Sequence, residues 1–254
     1  MTLANLVVFA AGIAAGAINS IAGGGTLISF PALLWIGRDP IIANATNTVA
    51  IWPGSLAGAY GFRRELSTVR RWLLLLIVPS LAGGALGGWL LLRTPSPVFE
   101  RLVPFLILGA TLLLAAQEVI TRKLGTVARA HESPTRGWVA FVFTFQLLVG
   151  LYGGYFGAGM GILMLAALGL IGLTDLHQMN GLKNVLAVGI NGIAAIYFVL
   201  AGAVVWGDVL VMTAGTIIGG YLGARMARRL GRKFVRRAVV VIGVTMTVVL
   251  FLKW

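Results

Sequence analysis

The residues of this chain best suited to chemistry are glycines and amides set inside apolar sequence. Three consecutive glycines, Gly23-Gly24-Gly25, interrupt AINSIAGGGTLISFP, and Gly157, Gly159 and Gly161 interrupt LYGGYFGAGMGILM. Glycine is poor helix interior, so each run predicts a broken helix or helical hairpin with its tip inside the surrounding structure. A helix end at such a tip exposes N–H groups without intrahelical partners, carrying positive partial charge. That is a site for a small anion. Asn19, Ser20, Gly24, Gly25 and Thr26 would supply one tip, and Gly157, Ala158, Gly159 and Met160 the other, mostly through backbone N–H. The competing use of glycine is close helix packing, which we prefer for Gly83–Gly88 and Gly219–Gly223.

Polar residues follow each glycine run at a similar interval: Asn44-Ala45-Thr46-Asn47-Thr48 and Asn180-Gly181-Leu182-Lys183-Asn184. Residues 44, 47 and 48 share one helical face, as do 180, 183 and 184. Amides and hydroxyls inside apolar sequence need partners, which are other helices or a ligand. Asn47, Lys183 and Asn184 would complete a pocket around the tips. Lys183 has two readings. A lysine at the centre of a membrane helix costs roughly 2.5–3.5 kcal/mol on insertion scales, a cost an anionic ligand would offset. The alternative is an edge anchor whose ammonium reaches the headgroups. Asn191, deeper in the same run, favours a cavity.

Other chemistries lack their residues. There is no cysteine, which removes thiol catalysis and cysteine-bound metal, and only two histidines, His131 and His177. The seven acids lie near the ends of apolar runs. No phosphate loop, nucleophile elbow or metal motif is present. We therefore expect no enzyme, no cofactor and no metal.

The elements that must position these residues are membrane helices. Hydrophobic residues make up 59% of the 254 and charged residues 11%, with a mean hydropathy of +0.96. A soluble domain carries roughly 25% charged residues, so this chain has too much apolar surface for water. Apolar runs fall at 3–22, 27–36, 41–62, 72–92 and 98–120, then at 137–156, 162–173, 179–200, 209–226 and 234–252. The first run lacks the basic start of a cleaved signal peptide and reads as a retained helix. The net charge of +13 sits in the connections. There it orients helices and meets anionic lipid rather than nucleic acid.

Arg63, Arg64, Arg70 and Arg71 crowd one connection; Arg122, Lys123, Arg129 and Arg136 a second; Arg228, Arg229, Arg232, Lys233, Arg236 and Arg237 a third. The positive-inside rule makes all three cytoplasmic. The N-terminus and C-terminus then lie outside. The chain divides into a repeat over 1–121, a cytoplasmic linker over 122–136 and a second repeat over 137–254. Asn47, Ala50 and Tyr60 match Asn184, Ala187 and Tyr197, and Gly83, Gly84 and Gly87 match Gly219, Gly220 and Gly223, at an offset of about 135 residues. Corresponding runs point in opposite directions across the membrane. The expected fold is thus an all-α polytopic membrane protein. It would have two inverted-topology repeats, each with a broken or hairpin helix pair plus three membrane helices, as in many secondary transporters.

The stretch AGAINSIAGGGTLISFPALLWIG, followed by ANATNTVAIWPGSLAGAYGFRREL, resembles the sulfite exporter TauE/SafE family of membrane permeases. GLYGGYFGAGMGILM and then GLKNVLAVGINGIAAIYFV resemble the family's companion repeat, so the resemblance covers nearly the whole chain. It implies a multi-pass protein of a bacterial inner membrane. The implied activity is export of sulfite, sulfoacetate or a related organosulfonate by alternating access. The implied partners are a small sulfur-containing anion and the bilayer, with a homo-oligomer possible. The alternatives are a channel or carrier for another small solute on the same fold, or a membrane assembly factor without transport.

Overall fold

The computed structural model describes residues 2–21, 24–61, 69–128, 136–170, 173, 175–230 and 232–252. These form ten helices and no strand: α1 (Leu3–Ile21), α2 (Thr26–Trp35), α3 (Pro40–Gly61), α4 (Arg70–Arg93), α5 (Ser96–Ala128), α6 (Arg136–Tyr155), α7 (Met160–Leu170), α8 (Leu176–Leu200), α9 (Trp206–Leu230) and α10 (Arg232–Leu252). Each expected apolar run is one helix. The boundaries follow local chemistry. Gly37, at φ 83°, ends α2, with its N–H donating to the Leu34 carbonyl. The Asp39 carboxylate then accepts from the N–H groups of Ile41 and Ile42 and opens α3, as Asp175 opens α8 through the Gln178 N–H. One boundary differs from expectation. Helix α5 runs through Ala128, into the segment read as linker. TRKLGTVA has no apolar stripe, but its residues, Gly125 aside, are compatible with helix.

Among the described residues, α4, α6, α8 and the Ser96–Ile120 part of α5 are long and apolar enough to cross a membrane. At 10 and 11 residues, α2 and α7 are not. With 1.5 Å of rise per residue each reaches about 15 Å, half of a hydrocarbon core. Their burial is what permits this. Leu27, Phe30 and Leu33 of α2 and Met164, Ala167 and Leu168 of α7 are buried among neighbouring helices. The large exposed side chains, such as Leu74, Phe105, Leu210 and Val241, lie on the long outer helices, where lipid is their solvent.

Two close interfaces dominate the packing, α1 on α9 and α4 on α6. Both are glycine against glycine. Gly12 and Gly16 of α1 lie against the backbone of α9 around Gly215 and Gly219; Gly83 and Gly87 of α4 lie against α6 around Gly150 and Gly154. All four pairs have the i, i+4 spacing that lets helix backbones approach. The packing role expected of Gly83, Gly87 and Gly219 is what these residues have. Helices α3 and α8 cross in the interior, where the Trp52 indole N–H donates to the Val188 carbonyl at 3.1 Å and its ring lies against Gly192.

Candidate functional site

At the first break, α1 ends at Ile21 and α2 begins at Thr26. Gly24 takes a φ of 97°, a conformation glycine reaches without a Cβ clash. The Asn19 side-chain oxygen accepts from the Gly25 N–H at 2.8 Å. Asn19 therefore caps α2 from the end of α1 and fixes the hairpin. Gly25 sits against the Ala15 carbonyl, leaving no room for a side chain. Thr26 is buried in the first turn of α2. Gly23 and the Ser20 side chain lie outside the described residues.

At the second break the reversal is sharper. Gly157 and Gly159 have φ of 77° and 75°. The N–H groups of Phe156 and Gly157 both donate to the Tyr152 carbonyl, closing α6. The Tyr152 hydroxyl donates to the Ala158 carbonyl at 2.6 Å, pinning the tip from within its own helix. Ala158 and Met160 are buried, and α7 starts at Met160.

Both breaks rest on α5. Gly24 faces the Leu114 side chain, and Gly159 faces Ala110. Those two positions are one helical turn apart, about 6 Å along the axis. The tips are also joined by the Phe30 ring of α2 against Phe156, edge to face at 5.4 Å between centroids. The two glycine runs, 134 residues apart in sequence, thus meet on one turn of one helix.

Amides surround the second break. Asn44 of α3 donates its side-chain N–H to the Tyr155 carbonyl at 2.8 Å, and Asn191 of α8 has its oxygen toward Gly157. Asn47 is fully buried on α3, and Asn184 is half-buried on α8. Lys183 is half-buried; its aliphatic stem lies against Gly161 in the first turn of α7, and its ammonium donates to the Asn180 oxygen at 3.0 Å. The structure so sets Asn191 at Gly157 and the Lys183 stem at Gly161, about two turns apart on α8, while Asn19 is committed to Gly25.

Sequence reading missed several polar groups. The signal for Tyr152 was a hydroxyl five residues before the glycine break at Gly157; that for Gln146 was a lone amide in α6, which bonds Ser80 of α4 at 2.8 Å. It also missed a paired contact at the α2–α3 connection. Arg38 grips Asp208 of α9 through Nε at 2.6 Å and Nη2 at 3.1 Å. Asp208 is buried in the first turn of α9, where the helix dipole favours its charge. The hydrogen bond to Asp208 raises the Arg38 pKa. An open cleft of about 560 Å³ lies nearby, lined by Asp39, Arg93, Thr94, Ser96 and Tyr197 among others, and none of the expected site residues line it.

Long apolar helices around two short buried ones define a polytopic membrane protein. Residues 8–250 match the family model described as Sulfite exporter TauE/SafE, and the chain belongs to that family. It is 32% identical to a "Probable membrane transporter protein" of Haemophilus influenzae, over 95% of this chain and 92% of the relative. Similar relatives with the same designation occur in Sinorhizobium, at 31% identity over 94% and 89% of the two chains, and in Escherichia coli, at 28% over 95% and 87%. No solved structure matches the chain.

Proposed function

We propose that this protein is a secondary transporter of the bacterial inner membrane that moves sulfite or a small organosulfonate by alternating access. The observation that carries the reading is the meeting of the two glycine breaks on one turn of α5. At the second break the start of α7 presents backbone N–H groups inside the protein, and a sulfonate offers three acceptor oxygens and one negative charge to such donors. The N–H groups of Gly157 and Met160 already donate to the Tyr152 and Gly157 carbonyls, so within the expected tip the backbone contribution falls to Ala158 and Gly159, with Lys183 and Asn184 on the flank. Asn19 acts at the other break by holding the α2 N-terminus in place. The inverted-repeat reading has support of its own. α1 of the first half packs on α9 of the second, and α6 of the second packs on α4 of the first. That reciprocity is what two repeats related by a two-fold axis would give, and the opposed directions expected from the charges make that axis an in-plane one. On the expected topology, Arg38 and Asp208 close the periplasmic end.

The test is flux in proteoliposomes loaded with labelled sulfite or sulfoacetate. Substrate-dependent flux above that of empty liposomes, saturable and competed by the other anion, is the expected result. A panel of such anions that gives no flux sinks the reading.

A further inference from the structure

Two amide oxygens of α3, one on a side chain that bonds the end of α6 and the other one turn further along the helix, are mismatched to an anion. Asn44 Oδ1 and Asn47 Oδ1 are buried and accept no hydrogen bond among the described residues, although both side chains are 1% exposed. The Asn44 orientation is fixed, because its amide N–H donates to the Tyr155 carbonyl and a flipped amide would set two oxygens together. The end of α6 adds further acceptors. Gly157 donates to the Tyr152 carbonyl in place of the Gly153 carbonyl that a continuing helix would use. A Cβ added at Gly157 would lie 2.9 Å from that Gly153 oxygen and 3.9 Å from Asn191 Oδ1, so two more oxygens face one point at the break. A helix C-terminus carries negative partial charge. Leaving buried acceptors without a donor is costly, and a bound cation removes that cost.

We infer that the α6 break holds a desolvated monovalent metal cation, with Asn44 Oδ1 and Asn47 Oδ1 as side-chain ligands and the freed carbonyl end of α6 beside them. The oxygens are all neutral. Calcium and magnesium sites draw on carboxylates, and no cluster of acids is found among the described residues. The inference deepens the transporter reading by giving it a coupling ion. One broken element then presents its carbonyl end to a cation and its N–H end, at α7, to the anion.

Purified protein in detergent is melted in NaCl and KCl against choline chloride at equal ionic strength, without any anion substrate. Binding to the folded state alone raises Tm, so the expected result is a saturable rise in NaCl or KCl over choline. Asn47→Ala, which removes one ligand oxygen and no hydrogen bond among the described residues, should abolish that rise. Asn47→Asp, which keeps the oxygen and adds charge, should retain it and also serves if the alanine variant fails to fold. Equal Tm in all three salts overturns the inference, as does a cation-specific rise that survives in Asn47→Ala. A cation shift without anion flux would leave this site standing and sink the transport proposal; flux with no cation shift would do the reverse.

Discussion

The ammonium of Lys183 donates back along α8 to Asn180, and its stem lies against the first turn of α7. Lysine has a flexible four-carbon stem, so a rotation of its outer bonds would carry the charge toward the α7 N-terminus when an anion arrives. If it does so, Lys183→Ala should weaken sulfoacetate binding by tenfold or more, since tenfold is about 1.4 kcal/mol, and Lys183→Arg should restore part of it. Titration of purified protein by calorimetry checks this; affinity unchanged in a well-folded alanine variant would assign the lysine to the edge-anchor role. Residue types told part of this site in advance. Asn47 and Lys183 stand out because amides and cations are costly in apolar sequence. The role of Asn19 was not legible, because a cap is defined by where the next helix starts, and Gly25 is six residues away. Nor was the reach of the Tyr152 hydroxyl, which depends on the chain reversing at Gly157.

At the scale of helices, glycine has two distinct jobs, and the surroundings separate them. A Cβ on Gly87 would collide with the Leu151 carbonyl, whereas one on Gly109, in α5, meets nothing within 4 Å. Gly87→Ala should therefore cost about 1–3 kcal/mol through overpacking of α4 on α6. Gly109→Ala should stabilise by up to about 1 kcal/mol through helix propensity. Unfolding of the two variants in matched detergent compares them, and a neutral Gly87→Ala would refute the close packing. All ten helices were visible as apolar runs because Gly, Pro, Asp and charged clusters punctuate them. Their partners were not. Spacing at i, i+4 marks a face that accepts a close neighbour without naming it, so Gly12 and Gly16 gave no hint of α9. The extra length of α5 was hidden for another reason: past Ile120 its residues are polar, and apolar periodicity carries no signal there.

For the molecule as a whole, orientation rests on the arginines and lysines of three connections. The chain has no cysteine, so single cysteines report cleanly. A Thr126→Cys variant should be blocked by an impermeant thiol reagent only after the cells are opened. Labelling from outside intact spheroplasts would reverse the map. The α1–α9 interface also has a consequence in time. Ribosomes add about 5–20 residues per second, and Trp206 is made roughly 185 residues after Ile21, so α1 waits about 10–40 s for its partner. Helix α6 does not wait, because α4 has already been made when it appears. During its delay the glycine face of α1 stands bare in the bilayer or against the insertion machinery. A ribosome that stalls before α9 would release a chain whose first helix holds α2 but leaves its glycine face without a partner.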